Sequence, residues 1–192
     1  MTISTELTAA AHTCLGLVSP AATTRVLGEV ALERATLTRH GDQDAGHWVA
    51  TITGQVGYLA RAVLADRFGP APQRPHRAAL RGHVIRVAVT ATAIAAWLDP
   101  DTAPDVMRAV LVERAAQDRY WGVQDHDPSV WLAVLVEEIG ELADVLHNHP
   151  YPHLSWVAGM AAVRAARGEA VQVAAVAVAI AEDLDRRSGV TR

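Results

Sequence analysis

The sequence predicts an all-α chain, folded as a four-helix-bundle-like pseudo-dimer of two tandem copies of one helical unit. Three observations predict it. Alanine is abundant and aromatic residues make up only 5% of the chain, which favours close-packed helices over sheets. Leu135, Ile139, Leu142 and Leu146 recur at steps of four, three and four, which draws one apolar stripe along a helix. The third observation is an internal repeat. Glu33-Arg34-Ala35 matches Glu113-Arg114-Ala115, Arg39 matches Arg119, and Gln43 matches Gln124. Trp48 and Ala50 match Trp131 and Ala133, and Gly57-Tyr58-Leu59-Ala60 matches Gly140-Glu141-Leu142-Ala143. Arg81-Gly82 and the residues to Ala88 lie against Arg167-Gly168 and the residues to Ala174. Both copies close on Leu-Asp, at Leu98-Asp99 and Leu184-Asp185. The offset drifts from 80 to 83 to 86 along this alignment, so the second copy carries a few short loop insertions.

The elements follow in order. Residues 1–25 form a helical extension without a counterpart in the repeat. A degenerate copy covers 26–100, a complete copy 105–187, and residues 188–192 are a tail. In the first copy a short helix holds Glu33, a longer one runs from about Trp48 to Arg67, and Gly69-Pro70-Ala71-Pro72 turns the chain. A helix from about Arg77 to Leu98 closes the copy, and Asp99-Pro100-Asp101-Thr102-Ala103-Pro104 links it to the next. The second copy repeats the plan. Asp127-Pro128-Ser129 opens its main helix with a cap and a first-turn proline. Asn148-His149-Pro150-Tyr151-Pro152 ends that helix, and Gly168 lies in or just before the last one, which runs to about Arg187. Antiparallel helix pairs from two copies make a four-helix bundle.

With 192 residues, 51% of them hydrophobic, the chain suffices for one substantial core or two small units sharing one. A net charge of −4 gives no electrostatic grip on nucleic acid or on an anionic membrane, so neither is expected as a partner. The one cysteine, Cys14, excludes an intramolecular disulfide and a cysteine-rich zinc site and fits a reduced, cytoplasmic setting. The segment from Met1 to Leu17 lacks a basic start and carries Glu6, unlike a secretory signal. Ala170 to Ala181 is the most apolar stretch, too short to span a bilayer, and reads as a buried helix. No Walker or Rossmann glycine pattern occurs.

Chemistry concentrates in Glu137-Glu138-Ile139-Gly140-Glu141. On a helix Glu137 and Glu141 lie about 40° apart and Glu138 about 100° from Glu137, with Asp144 continuing the edge. Like charges at this spacing repel, and oxygen-rich clusters suit hard ions such as Mg²⁺ or Mn²⁺. A solvated acidic face is the plain alternative. Glu169 adds weight to the metal, because it heads an apolar helix where a charge needs a partner; a salt bridge to Arg164 or Arg167 would also supply one. Ahead of the acidic helix, Trp121, Gln124 and His126 could stack on a base and bond its edge, or simply pack a loop. His147, His149 and His153 read as surface histidines around a turn. The first copy has Gly54, Gln55 and Tyr58 in place of the three glutamates, and His83 and Arg86 in place of Glu169 and Gln172. Arg86, with Arg61 and His83, could clamp phosphate or balance the acidic half.

Trp121, Gln124 and His126, then Trp131, then Glu137-Glu138 with Glu141, then Glu169 and the Val171-Gln172-Val173-Ala174-Ala175 run resemble the MazG-like family of all-α nucleoside triphosphate pyrophosphohydrolases. The resemblance covers about Val110 to Arg187 and reaches the first half only through the repeat. It implies packed helix pairs assembled as dimers or tetramers, here a homo-dimer of pseudo-dimers. It implies Mg²⁺, with Mn²⁺ as a substitute, held by Glu137, Glu138, Glu141 and Glu169, with Glu138 and Glu141 catalytic. Trp121, Gln124, His126 and Arg86 would bind the nucleotide. The reaction implied is cleavage of a nucleoside triphosphate to the monophosphate and pyrophosphate, at one active site per chain. Gln172 departs from the family, which has an acidic residue there. A catalytically inactive nucleotide-binding, regulatory or scaffold protein of the same descent is the competing expectation.

Overall fold

The structure is a computed structural model that describes residues 20–36, 43–69, 74–148 and 156–189. Cys14, His149, His153 and nearly all of the N-terminal extension lie outside these residues. Every regular element among the described residues is helical: α1 (Pro20–Thr36), α2 (Ala45–Phe68), α3 (Arg74–Leu98), a 3-10 segment (Pro100–Asp105), α4 (Val106–Trp121), α5 (Pro128–Asn148) and α6 (Trp156–Arg187). The all-α expectation stands.

Local chemistry explains the helix ends. Asp44 caps α2 by accepting the His47 amide at 2.7 Å, and Asp127 caps α5 by accepting the Ser129 amide at 2.9 Å. The expected linker between the copies is the 3-10 segment, where the Thr102 hydroxyl donates to Asp99 at 2.7 Å. Gly122 ends α4 with φ 74° and ψ −179°, a conformation that only glycine adopts without strain. Two boundaries differ from expectation. α1 begins at Pro20, so the division at residue 25 falls inside a helix. α6 begins at Trp156 and runs straight through Gly168. A mid-helix glycine costs about 1 kcal/mol, which the buried apolar stripe on either side of Gly168 outweighs.

α3 and α6 pack on each other most extensively and form the centre of the molecule. They run antiparallel. Arg81 near the start of α3 bonds Asp185 near the end of α6 at 2.6 Å. At the other end the Asp99 carboxyl, held below its usual range first by the Thr102 hydroxyl, also feels Arg167. α2 packs on α3 and α5 on α6, α1 lies on α3 and α4 on α6, and α2 touches α5. One hydrophobic core joins both halves, from Val26 through Leu80, Val87 and Ile94 to Leu135, Ala170 and Ala177. The Arg77–Leu98 stretch of α3 is long and apolar enough to cross a membrane, but 61% of its most apolar window is buried against other helices, as befits a core helix.

Candidate metal centre

α5 sets the positions of the first two carboxylates. Its stripe of Leu135, Ile139, Leu142 and Leu146 is buried as the spacing predicts, and Trp131 is locked by its indole N–H donating to Asp183 at 2.8 Å. These anchors fix the rotation of α5. Glu138 therefore falls at the edge of the core, half-buried, while Glu137 and Glu141 are exposed. α6 supplies Glu169, half-buried between Ala166 and Ala170. The neighbouring Gln172 amide donates to the Glu169 carboxylate at 3.2 Å.

Glu138, Glu141 and Glu169 each offer an oxygen, and these atoms all lie within 4.8 Å of one another. Two of the carboxyls are shifted upward. Burial, then the charges of Glu141, Glu169, Glu137 and Glu113, push the Glu138 carboxyl up to about 7. Burial, then Glu141 and Glu113, raise Glu169. The Oε2 atom of Glu138 is buried and has no hydrogen-bond partner among the described residues. Three converging carboxylates, one of them with a buried oxygen that has no hydrogen-bond partner among the described residues, form a donor set that fits Mg²⁺ or Mn²⁺. Glu137, expected as a fourth ligand, is outside this group and acts on it through its charge alone. Asp144 is also exposed and outside it.

The structure does not gather the expected nucleotide contacts around the glutamates. Gln124 and His126 bond each other at 3.1 Å, and the His126 ring sits edge-on to Trp131 at 4.9 Å. Their loop is strapped to the end of α6. Arg186 donates to the Gln124 carbonyl at 2.7 Å, and Arg187 to the His126 carbonyl at 2.7 Å and to the Asp125 carboxylate. This places both side chains at the start of α5, roughly 15 Å along the axis from Glu138 at the usual helical rise. Trp121 keeps an exposed indole, edge-on to Tyr120, roughly 12 Å beyond Glu113 along α4. Arg86 is further removed. The Arg81–Asp185 register puts it opposite Ile180, roughly 16 Å along α6 from Glu169. It lies instead 3.8 Å from Glu33.

The first half has no counterpart of the acidic group among the described residues. Tyr58 and His83 stack on each other instead, with ring centres 5.9 Å apart and planes 11° apart. Burial and then the Arg86 charge lower the His83 imidazole. Sequence reasoning missed Glu113 as a neighbour of the centre. Its only signal was its place in the repeated Glu-Arg-Ala motif, which says nothing about which helices it faces.

Comparison with protein-family models, with curated proteins and with solved structures finds no match.

Proposed function

We propose that the protein is a Mg²⁺-dependent nucleotide pyrophosphohydrolase that cleaves ribo- or deoxyribonucleoside triphosphates to the monophosphate and pyrophosphate, with one active site per chain. The observation that carries the reading is the convergence of Glu138, Glu141 and Glu169 from two helices, with one Glu138 oxygen buried and unpartnered among the described residues. These three side chains would hold the cation. The bound ion would neutralise phosphate charge and lower the pKa of water. Glu138, half-buried at the edge of the core, would hold the cation and orient the attacking water, and Glu141 is exposed to solvent, from which substrate would arrive. Water oxygen bonds the α phosphorus, the bridging oxygen leaves with pyrophosphate, and the water proton passes to carboxylate or solvent. The resemblance to MazG-like enzymes supports the same chemistry. Gln124, His126 and Arg86 do not enter the proposal, because they serve a loop strap and the other half of the molecule.

Internal duplication belongs to this reading, and the packing supports it. Exchanging α1 with α4, α2 with α5 and α3 with α6 leaves the set of packed helix pairs unchanged. The Tyr58–His83 pair in the position of Glu141 and Glu169 then marks a copy that has lost its metal site. A second copy of the chain fits the outer face of α2 and α5. Tyr58, Leu64 and Phe68 on α2 are 55%, 56% and 75% exposed, and Val130 and Val136 extend the apolar surface on α5. Arg61 on α2 and Glu137 on α5 are exposed and lack ion-pair partners among the described residues, so a two-fold pairing of α2 with α5 would bring them together.

A non-catalytic nucleotide-binding descendant is the second reading, favoured by the neutral Gln172 beside Glu169. The deciding experiment is pyrophosphate release from a panel of nucleoside triphosphates with Mg²⁺ or Mn²⁺, beside Glu138→Gln. Metal-dependent release that the substitution abolishes is expected. A folded, helical protein that releases nothing from any nucleotide would sink the enzyme reading in favour of the binder.

A further inference from the structure

The end of α4 exposes an apolar surface that the metal centre does not use. Tyr120, Trp121 and Val123 are 82%, 59% and 56% exposed, and the two aromatic rings sit edge-on at 5.2 Å. Large aromatic surface left in water marks a place where something apolar docks. The fold shows which part of the chain enters beside it. Thr23 of α1 and Arg114 of α4 both donate to Glu182, at 2.5 Å and 3.0 Å, so the start of α1 meets α4 over one carboxylate. Beyond Arg114, α4 continues for roughly 10 Å to Trp121. The loop that follows is strapped to Arg186 and Arg187, at the same end of α6. Residues 1–19 join α1 at this end of the molecule.

We propose that the Tyr120–Trp121–Val123 surface is the docking site of residues 3–18 of the same chain, laid on it as an amphipathic helix. The inference is independent of the metal reading. Ile3, Leu7, Ala10, Cys14 and Val18 follow at steps of four, three, four and four, with Ala11 and Leu15 beside them, which draws one apolar stripe on a helix. Thr5, Thr8, His12 and Thr13 fall off that stripe, and Glu6 falls at its edge. A helix of this length is marginal in water by itself and gains its stability by burying such a stripe. Ser19-Pro20 has the cap residue and first-turn proline that open a helix, so the segment need not continue the line of α1 and is free to turn onto α4. Residues 3–18 as a helix span roughly 24 Å, ample to reach from the start of α1 across Trp121. Charge agrees with the placement. Glu6 is the one acidic residue of the segment, and the exposed Arg119 beside the aromatic pair has no ion-pair partner among the described residues. Trp121 is then an anchor for the N-terminus, and a nucleotide base reaches it only by displacing this segment.

Cys14 lies on the stripe and is the one cysteine of the chain, so its thiol reports the docking. The test is the rate at which dithiobis(nitrobenzoic acid) modifies Cys14 in the full chain, with the urea-unfolded chain as reference. The folded protein should react about tenfold or more slowly. Trp121→Asp with Val123→Asp should bring the rate to within about threefold of the unfolded one while circular dichroism stays helical, and Trp121→Ser replaces the pair if the aspartates cost helicity. Leu7→Asp, which leaves the helical body unaltered, should release the thiol equally from the other side of the contact. If Cys14 of the folded protein reacts as fast as in urea, nothing covers the stripe and the proposal falls. Protection that survives the α4 substitutions or Leu7→Asp means that a different surface shields the thiol, and overturns it too. Protection that disappears on dilution assigns the cover to a second copy of the chain, which likewise overturns docking within one chain.

Discussion

At Glu138 burial and like charge act in the same direction. The side chain leaves water at the edge of the core and meets the charges of Glu141, Glu169, Glu137 and Glu113, so its carboxyl rises to about 7. The consequence for stability has a definite sign. In the unfolded chain the group ionises at the ordinary glutamate pKa, while the metal-free folded chain still holds the proton. Its contribution to stability is therefore full below the unfolded pKa and is lost as pH rises through about 7. Glu138→Gln removes the penalty. In thermal melts without metal at pH 8 the variant should be more stable by about 1 kcal/mol, a figure discounted because solvent screens the half-exposed carboxylate, and the gain should narrow toward pH 5. Added Mg²⁺ should stabilise the unaltered protein and leave the variant unmoved. A variant that melts below the parent at pH 8 would contradict the strain assigned to this site. Because metal binding needs the ionised carboxylate, affinity should rise across the same pH window.

Among the elements, α6 organises the rest through the acids near its C-terminus. Glu182, Asp183 and Asp185 are all buried where the helix dipole disfavours negative charge. Each is compensated from a different direction. Glu182 accepts from Thr23 of α1 at 2.5 Å and from Arg114 of α4 at 3.0 Å. Asp183 accepts from Trp131 of α5 at 2.8 Å and pairs with Arg186 and Arg187 of its own helix. Asp185 binds Arg25 of α1 at 2.8 Å and Arg81 of α3 at 2.6 Å. Three acidic positions within one helical turn thus orient four other helices, including the α5 that carries Glu138 and Glu141. Glu182→Ala strips Arg114 of one of its two acidic partners in a dry setting and leaves the Thr23 hydroxyl unpaired. Chemical denaturation should register a loss of about 3 kcal/mol. A loss under about 1 kcal/mol would mean that the network follows the packing and does not direct it.

For the whole molecule, the proposed pairing of two copies rests on the outer face of α2. A chain of 20.5 kDa with Tyr58, Leu64 and Phe68 in contact with water should pair with a second copy. Sedimentation velocity should give the mass of a dimer, and Leu64→Asp with Phe68→Asp the mass of a single chain. Arg61→Glu should weaken the dimer, and adding Glu137→Arg should restore it. A single-chain mass for the unaltered protein at micromolar concentration would remove the second copy as the occupant of that face. Leu64, Phe68 and Arg61 lie outside the triad of carboxylates, so metal binding offers an independent check that variants at these three positions keep their fold.

What the sequence determined by itself was local. Period and capping placed the helices through Leu135, Ile139, Leu142 and Leu146 and the start at Asp127, because both depend on residues within a turn or two of each other. The spacing of Glu138 and Glu141, and a third carboxylate on the following apolar helix, were legible for the same reason. Tertiary structure decided what depends on helices meeting across the fold. It dropped Glu137 from the converging group by fixing the rotation of α5 through Trp131 and Asp183. It carried α6 back to Trp156, because a helix packed along its length tolerates the glycine that local propensity reads as an end. It drew Gln124 and His126 into a strap on Arg186 and Arg187, and it separated Arg86 from Glu169 through the antiparallel register of α3 and α6. Glu113 belongs to the same class. Its nearness to Glu138 and Glu169 arises only where three helices from distant stretches of chain converge, and no spacing along one of them encodes it.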